Sequence, residues 1–171
     1  ALHIDFETRS AVDLREVGLY NYARHPTTDV WCMAWVIGDM EPEVWVPSYQ
    51  YDRCIPPNLG IMCDIPDAVV DHVMSGLPVY AHNAPFELAI WNEVLAEKYG
   101  IIFPLKPEQT YCTMAMAYAM GLPGSLEDAA LAMGIDMKKD TEGRALMLRM
   151  CRPRSTKGGE IVWWDDEDKL A

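Results

Sequence analysis

Two acidic residues near the start of the chain have the spacing of a metal-binding pair. Residues 2–8 alternate apolar and polar side chains, the pattern of a strand with two distinct faces. Asp5 and Glu7 lie two positions apart, so both carboxylates leave the strand on the same side. Two such carboxylates repel each other unless a cation lies between them, and Mg²⁺, Mn²⁺ and Ca²⁺ prefer carboxylate oxygens. The pattern predicts either a divalent-cation site or an exposed strand face with two solvated acids.

A third carboxylate follows a later predicted strand. Pro85 suits the first turn of a helix, Asn83 is a good N-cap, and Glu87 falls where the helix dipole favours negative charge. One interpretation is a well-capped helix with an acid in its first turn. The other is functional, because sites in open α/β sheets gather at the carboxyl ends of strands. On that interpretation, Glu87 lies beside Asp5 and Glu7.

The elements that must position these acids follow from periodicity and turn residues. Further strands are predicted at residues 29–38, 43–46 and 77–81, and helices at residues 14–23, 65–75, 84–99, 126–133 and 142–150. Residues 48–64 are predicted to be loop, and the methionines of the apolar stretch 110–120 are expected in the core. The order predicts an α/β fold with a mixed sheet, in which an antiparallel meander is followed by parallel strands flanked by helices.

Length and composition favour one domain over residues 1–171. Half of the 171 residues are hydrophobic, and the sequence has no apolar run of membrane-spanning length and no signal peptide, so no membrane partner is expected. The five cysteines include no Cys-x-x-Cys pair, which favours reduced thiols in a cytoplasmic protein, and the four histidines have no zinc spacing.

The charge distribution leaves room for one nucleic-acid contact. A net charge of −12 argues against a general nucleic-acid binder. Residues 138–157, however, carry seven basic and two acidic side chains. We call this segment the basic stripe. It is interpreted either as a solvated helix face or as a surface that follows phosphates; its basic residues are Lys138, Lys139, Arg144, Arg149, Arg152, Arg154 and Lys157.

The two acidic motifs together resemble those of a known enzyme superfamily. Asp5-Phe6-Glu7-Thr8, followed by Asn83-Ala84-Pro85-Phe86-Glu87, is similar to the first two motifs of DEDD 3′–5′ exonucleases, which have a ribonuclease-H-like fold. The resemblance covers nearly the whole chain and extends to proofreading domains of bacteriophage-type family A DNA polymerases. Its flanking matches are Thr8-Arg9-Ser10, Leu14, Gly18, Tyr20, Cys112-Thr113-Met114, residues 121–126, residues 138–143 and Cys151-Arg152-Pro153-Arg154.

This resemblance implies a phosphodiesterase that uses two divalent ions, Mg²⁺ or Mn²⁺, to remove nucleotides from the 3′ end of DNA. It implies that Asp5 bridges both ions, that Glu7 holds the ion that activates the attacking water, and that Glu87 acts mostly through metal-bound waters. The implied substrate-binding residues are Thr8, Asn83, Phe86, Arg152 and Arg154. A purely structural interpretation of two of these residues stays equally open, in which Asn83 caps a helix and Phe86 is a core aromatic.

The sequence departs from the family pattern at two of the four carboxylate positions. Glu87 stands where the pattern has Asp, and the extra methylene is tolerable if contact runs through water. The fourth carboxylate and its companion tyrosine, which the family places on a later helix, are absent from the sequence. We therefore expect a chain cut before its last catalytic motif. Asp165, Asp166 and Asp168 are interpreted either as substitutes for the fourth carboxylate or as the solvated acidic start of a helix.

The resulting hypothesis is a proofreading exonuclease domain whose partners are a single-stranded DNA 3′ end and a covalently attached polymerase domain, in the host cytoplasm if phage-encoded. Two alternatives stay open. One is a non-catalytic ribonuclease-H-like module that binds DNA or a protein partner. The other is a free-standing exoribonuclease of the same superfamily.

Overall fold

The computed structural model describes residues 1–47, 65–135, 140–154 and 161–164, and the predicted loop at 48–64 lies outside these ranges. Within them, five strands form one sheet: β1 (Leu2–Arg9), β2 (Asp29–Ile37), β3 (Glu43–Trp45), β4 (Val79–Ala81) and β5 (Thr110–Cys112). Their order across the sheet is β3-β2-β1-β4-β5. β1 pairs antiparallel with β2, and β2 with β3, whereas β4 runs parallel to β1 and β5 to β4. The predicted mixed sheet is confirmed, and its topology is that of a ribonuclease-H-like fold.

Helices flank this sheet. In the described ranges they are α1 (Leu14–Val17), α2 (Leu19–Ala23), α3 (Asp67–Met74), α4 (Pro85–Ala89), a π-helical segment (Ile90–Leu95), α5 (Ala96–Tyr99), α6 (Thr113–Ala119), α7 (Leu126–Ala132) and α8 (Thr141–Met150). The single helix predicted at 14–23 is divided in two because Gly18 has a φ of 77°, which is incompatible with a continuous helix. None of the helices in the described ranges is long and apolar enough to cross a membrane.

The core lies against one face of β1. Leu2, Ile4 and Phe6 are buried, whereas Asp5 and Glu7 are exposed on the opposite face, as the alternation predicted. Burying each large apolar side chain contributes about 1.5–3 kcal/mol to stability. A one-residue slip of β1 would expose all of these side chains and bury the acids, so burial fixes the register of the strand.

The first turn of α4 follows β4 directly. Pro85 occupies the start of the helix, as predicted. The predicted N-cap is wrong: Ala84 precedes the helix, no side chain caps it, and Asn83 has a φ of 71°. Asn tolerates this left-handed conformation better than most residues, so Asn83 makes the turn between β4 and α4 instead of capping the helix.

The predicted burial of the methionines is wrong for the stretch after β5. Met116 is 41% exposed and Met120 is 72% exposed, whereas Ala117 on the same helix is buried. A helix buries one stripe of residues, and in α6 the buried position is occupied by a small residue. The prediction also missed β5, since three residues that lead straight into a helix carry almost no period-two signal.

Candidate active site

A cleft of about 550 Å³ opens near the carboxyl end of β1. Its wall contains the three predicted acids, Asp5, Glu7 and Glu87, together with Thr8, Asn83, Phe86 and Arg152. β1 supplies the first two acids from its exposed face, and the first turn of α4 supplies the third. The structure thus brings together residues that are far apart in sequence. It gives them the common cleft that strand spacing and helix start predicted.

The two carboxylates of β1 share an unfavourable environment for negative charge. Although Asp5 is exposed at the surface of the cleft, the surrounding walls partly desolvate its carboxylate and raise its pKa, and the nearby His82 partly offsets this rise. Partial desolvation also raises the pKa of Glu7, and the charge of Asp5 adds to that effect. Desolvation and like charge both favour the protonated forms. A bound cation would reverse both effects because it stabilises the ionised forms.

Glu87 is the most strongly perturbed acid of the cleft. Its side chain is only 2% exposed, and Oε2 has no hydrogen-bond partner among the described residues. Burial, with a smaller contribution from the charge of Asp5, raises its pKa to about 8, while backbone N–H groups of Glu87 and Phe6 partly oppose the rise. An unpartnered buried carboxylate oxygen is costly, and strongly perturbed acids concentrate at functional sites.

The fit of a divalent cation to these residues is partial. The donor set consists of carboxylate oxygens, the ligands that Mg²⁺ and Mn²⁺ prefer, and Glu87 Oε2 makes no hydrogen bond to the described residues that a ligand would have to replace. Across residues 1–47, 65–135, 140–154 and 161–164, however, no three His, Cys, Asp or Glu side chains converge closely enough to form a ligand cluster. The carboxylate oxygens are suitable ligands for the ion, but the three side chains would have to move closer together to bind it.

Thr8 and Phe86 line the cleft beside the acids. The register of β1 against β2 shifts between Glu7 and Thr8, and such a bulge redirects the side chains that follow it. The Thr8 hydroxyl lies 2.8 Å from the hydroxyl of Tyr22. Phe86 is half-buried, and its ring centroid lies 6.3 Å from that of Tyr22. The two side chains offer one polar and one apolar surface to a bound group.

The two predicted arginines have different positions. Arg152 borders the acidic cleft, and its Nη2 donates to Asp13 Oδ2 at 2.8 Å. Arg154 lines a second cleft of about 430 Å³, which Arg152 also borders, and its guanidinium lies over the ring of Trp164 at 5.3 Å. The shared walls make one path from the acids to both arginines. Lys138, Lys139 and Lys157 of the basic stripe, and the candidate acids Asp165, Asp166 and Asp168, lie outside the described residues.

Among the cleft residues that sequence reasoning missed, His82 and Tyr22 make the most informative contacts. His82 lies beside Asp5; its Nε2 is 2.7 Å from the carbonyl oxygen of Gly124, and its Nδ1 is 3.1 Å from Thr113 Oγ1. The sequence feature that could have identified His82 is its position directly before Asn83, at the end of β4. Tyr22 reads in the sequence as an ordinary core aromatic of a short helix, and no motif distinguishes it.

Comparison with known proteins gives one clear relative. Over 164 residues the chain is 29% identical to a DNA polymerase of Bacillus phage SP02. This chain is related to a region of a phage DNA polymerase. The match covers 94% of the chain but only 22% of the relative, so the chain spans about a fifth of the length of that polymerase. No family model matches the chain.

Proposed function

We propose that this chain is the proofreading 3′–5′ exonuclease region of a phage-type DNA polymerase. The observation that carries the proposal is the acidic cleft: three carboxylates with raised pKa values, one of them with an unpartnered oxygen, line one cleft near the carboxyl end of the central strand. Relation to a polymerase supplies the context, since the related segment is a small part of a much longer enzyme. The site of action would be the cytoplasm of the host cell.

The three acids are proposed to hold divalent ions. Asp5, Glu7 and Glu87 would hold Mg²⁺ or Mn²⁺ through their carboxylate oxygens. Ions of this kind lower the pKa of a bound water and stabilise the charge that develops on the leaving oxygen. Glu87 must lose its proton to take part, and a cation favours that loss. His82 contributes a neighbouring dipole or charge that lowers the pKa of Asp5 and so favours its ionised form.

The remaining walls are proposed to hold the 3′-terminal nucleotide. Phe86 offers an apolar ring against which a base or sugar can pack, while Thr8 and Asn83 offer hydrogen-bonding groups. Arg152 and Arg154 lie along the path that leaves the acids, where the phosphates of a single strand would pass. Phosphate binding at Arg152 must compete with Asp13, which accepts its hydrogen bond.

A second candidate function is a non-catalytic module of the same fold that binds DNA or a protein partner. The absence of a converged ligand cluster among the described residues favours it. Calorimetric titration with Mn²⁺ separates the two candidates. The exonuclease hypothesis predicts saturable binding that Asp5→Ala removes, and the binding-module hypothesis predicts none.

The choice between DNA and RNA is a separate question. A free-standing exoribonuclease would degrade an RNA oligonucleotide faster than a DNA oligonucleotide of the same sequence. The proofreading hypothesis predicts the opposite order. Parallel time courses on the two oligonucleotides, each with a labelled 3′ nucleotide, distinguish these outcomes.

A further inference from the structure

Tyr22 contacts two of the three residues proposed to surround the terminal nucleotide, Thr8 and Phe86. Its side chain is only 7% exposed yet borders the acidic cleft. The hydroxyl lies 2.8 Å from Thr8 Oγ1 in a buried hydrogen bond, and the ring lies against Phe86 at an interplanar angle of 41°. One residue therefore contacts the polar wall of the cleft at its hydroxyl and the apolar wall at its ring.

The backbone fixes the position of Tyr22. Its N–H donates to the carbonyl oxygen of Gly18 at 2.9 Å, and its own carbonyl accepts a hydrogen bond from the hydroxyl of Thr28. Thr28 is fully buried, and its Oγ1 lies 2.7 Å from Ser10 Oγ, where it accepts the hydrogen of the Ser10 hydroxyl. The helix that carries Tyr22 is thus attached to the segment that follows β1. Such a fixed residue can hold its neighbours in one orientation, which is what a precise site requires.

We propose that Tyr22 is a positioning residue for the 3′-terminal nucleotide, holding the hydroxyl of Thr8 and the ring of Phe86 in the geometry that receives it. This inference rests on the proposed exonuclease function. The two hydroxyls satisfy each other, so the orientation of Thr8 depends on Tyr22. Burial raises the pKa of Tyr22 above its ordinary value although the hydrogen bond with Thr8 opposes the rise, so the phenol stays neutral and able to donate.

The pairing predicts that the effects of two substitutions are coupled. Tyr22→Phe keeps the ring against Phe86 and removes the hydroxyl, whereas Thr8→Val removes the other partner at almost the same volume. We expect each to weaken binding of thymidine 5′-monophosphate about tenfold in the presence of Mg²⁺, measured by calorimetry at 15 °C. A mononucleotide is a suitable probe because it has no phosphodiester bond to be hydrolysed. The double variant should bind no more weakly than either single variant, because both remove the same interaction.

A matched control lies on the same helix. Tyr20 is 60% exposed and does not border the cleft, so Tyr20→Phe should leave binding of the mononucleotide unchanged. Tyr22→Leu tests the ring: it should weaken binding more than Tyr22→Phe, because Phe86 also loses its neighbour. Thermal unfolding of each variant separates affinity from folding. A merely structural role would lower the melting temperature and leave the dissociation constant at 15 °C unchanged.

The outcomes are distinguishable. Wild-type protein that binds neither the mononucleotide nor a single-stranded oligonucleotide contradicts the proposed function, and the role of Tyr22 with it. Wild-type protein that binds both, with a Tyr22→Phe variant that binds the mononucleotide equally well, overturns the inference alone. Additive losses in the double variant also overturn it, since they show that the two hydroxyls act independently.

Discussion

Glu87 and Asp5 lie within electrostatic reach of each other, although one comes from the first turn of α4 and the other from the exposed face of β1. The charge of Asp5 disfavours ionisation of Glu87, and burial disfavours it more strongly. The pair is costly in the absence of a counter-ion, and a cation would relieve that cost. This relationship yields predictions that can be tested without any nuclease assay.

Glu87 should make the folded protein less stable as the pH rises. Its pKa is about 8 in the folded protein against an ordinary value of 4.5, so the folded state holds the proton more tightly. The free energy of unfolding should therefore fall between about pH 4.5 and pH 8. Glu87→Gln cannot ionise and should be more stable than wild type at pH 8 by about 1–3 kcal/mol. Urea unfolding at pH 5 and pH 8 measures the difference.

A control for this experiment lies two turns along the same helical stretch. The pKa of Glu93 is lowered by its hydrogen bond with Arg24, so its contribution to stability is present above about pH 4.5 and is lost at lower pH. Glu93→Gln should therefore be slightly less stable than wild type at pH 8, the opposite sign to Glu87→Gln. A Glu87→Gln variant that is destabilised at pH 8 would show that the carboxylate is ionised and well paired.

Divalent cations should stabilise the protein more at higher pH. Binding to Asp5, Glu7 and Glu87 requires their ionised forms, and protons compete for sites whose pKa values are raised. The increase in melting temperature caused by 10 mM Mg²⁺, roughly a thousand times a typical protein concentration and enough to saturate even a weak site, should grow from pH 6 to pH 8. Asp5→Ala should abolish it. An increase that is the same at both pH values, or that persists in Asp5→Ala, would place the ion elsewhere.

The two arginines on the path from the cleft should control the salt dependence of DNA binding. Replacing Arg152 and Arg154 by Ala should weaken binding of a fluorescein-labelled single-stranded oligonucleotide. It should also reduce the slope of log K against log salt by about 0.7 for each phosphate that is no longer neutralised. Arg24→Ala is the control, because Arg24 pairs with Glu93 away from the cleft. Fluorescence anisotropy between low and moderate salt gives the slope. Equal slopes for wild type and the double variant would identify these residues as ordinary surface charges.

The sequence predicted the parts of the fold that have a strong period. Alternation in β1 identified both the buried residues and the side on which Asp5 and Glu7 lie, because burial of one face fixes strand register. Pro85 marked the start of α4 correctly. Short elements gave too little pattern, so β5 was missed, and the preference of Asn for N-caps hid the left-handed turn at Asn83.

The candidate site was predicted less completely than the fold. Carboxylates two apart on a strand can be recognised in a sequence, but the contact of Tyr22 with Thr8 depends on how α2 packs near β1. Likewise, the environment that raises the pKa of Glu87 comes from burial, which no local motif encodes. Tertiary contacts of this kind follow from the fold as a whole and not from residue types at fixed spacing.

A fourth carboxylate ligand should decide how active the site is. If a fourth carboxylate and a tyrosine from sequence beyond this chain complete it, the 171-residue chain should bind at most one divalent ion well and hydrolyse DNA slowly. A longer polypeptide, extended by about one helix of ~10–14 residues and its connection, should hydrolyse DNA much faster. Equal rates for the two would place the missing ligand within the present chain, with Asp165, Asp166 and Asp168 as the first residues to replace.

The most direct measurement of the central hypothesis is release of the terminal nucleotide from a DNA oligonucleotide labelled at its 3′ end. It uses a polypeptide that contains this chain and the adjoining polymerase sequence, in Mg²⁺ or Mn²⁺. We predict that the labelled mononucleotide is the first product. Asp5→Ala should reduce its release to the level without enzyme while primer extension continues at the wild-type rate. Release that persists in Asp5→Ala, or an intact 3′ end after incubation with the wild-type polypeptide, would contradict the assignment.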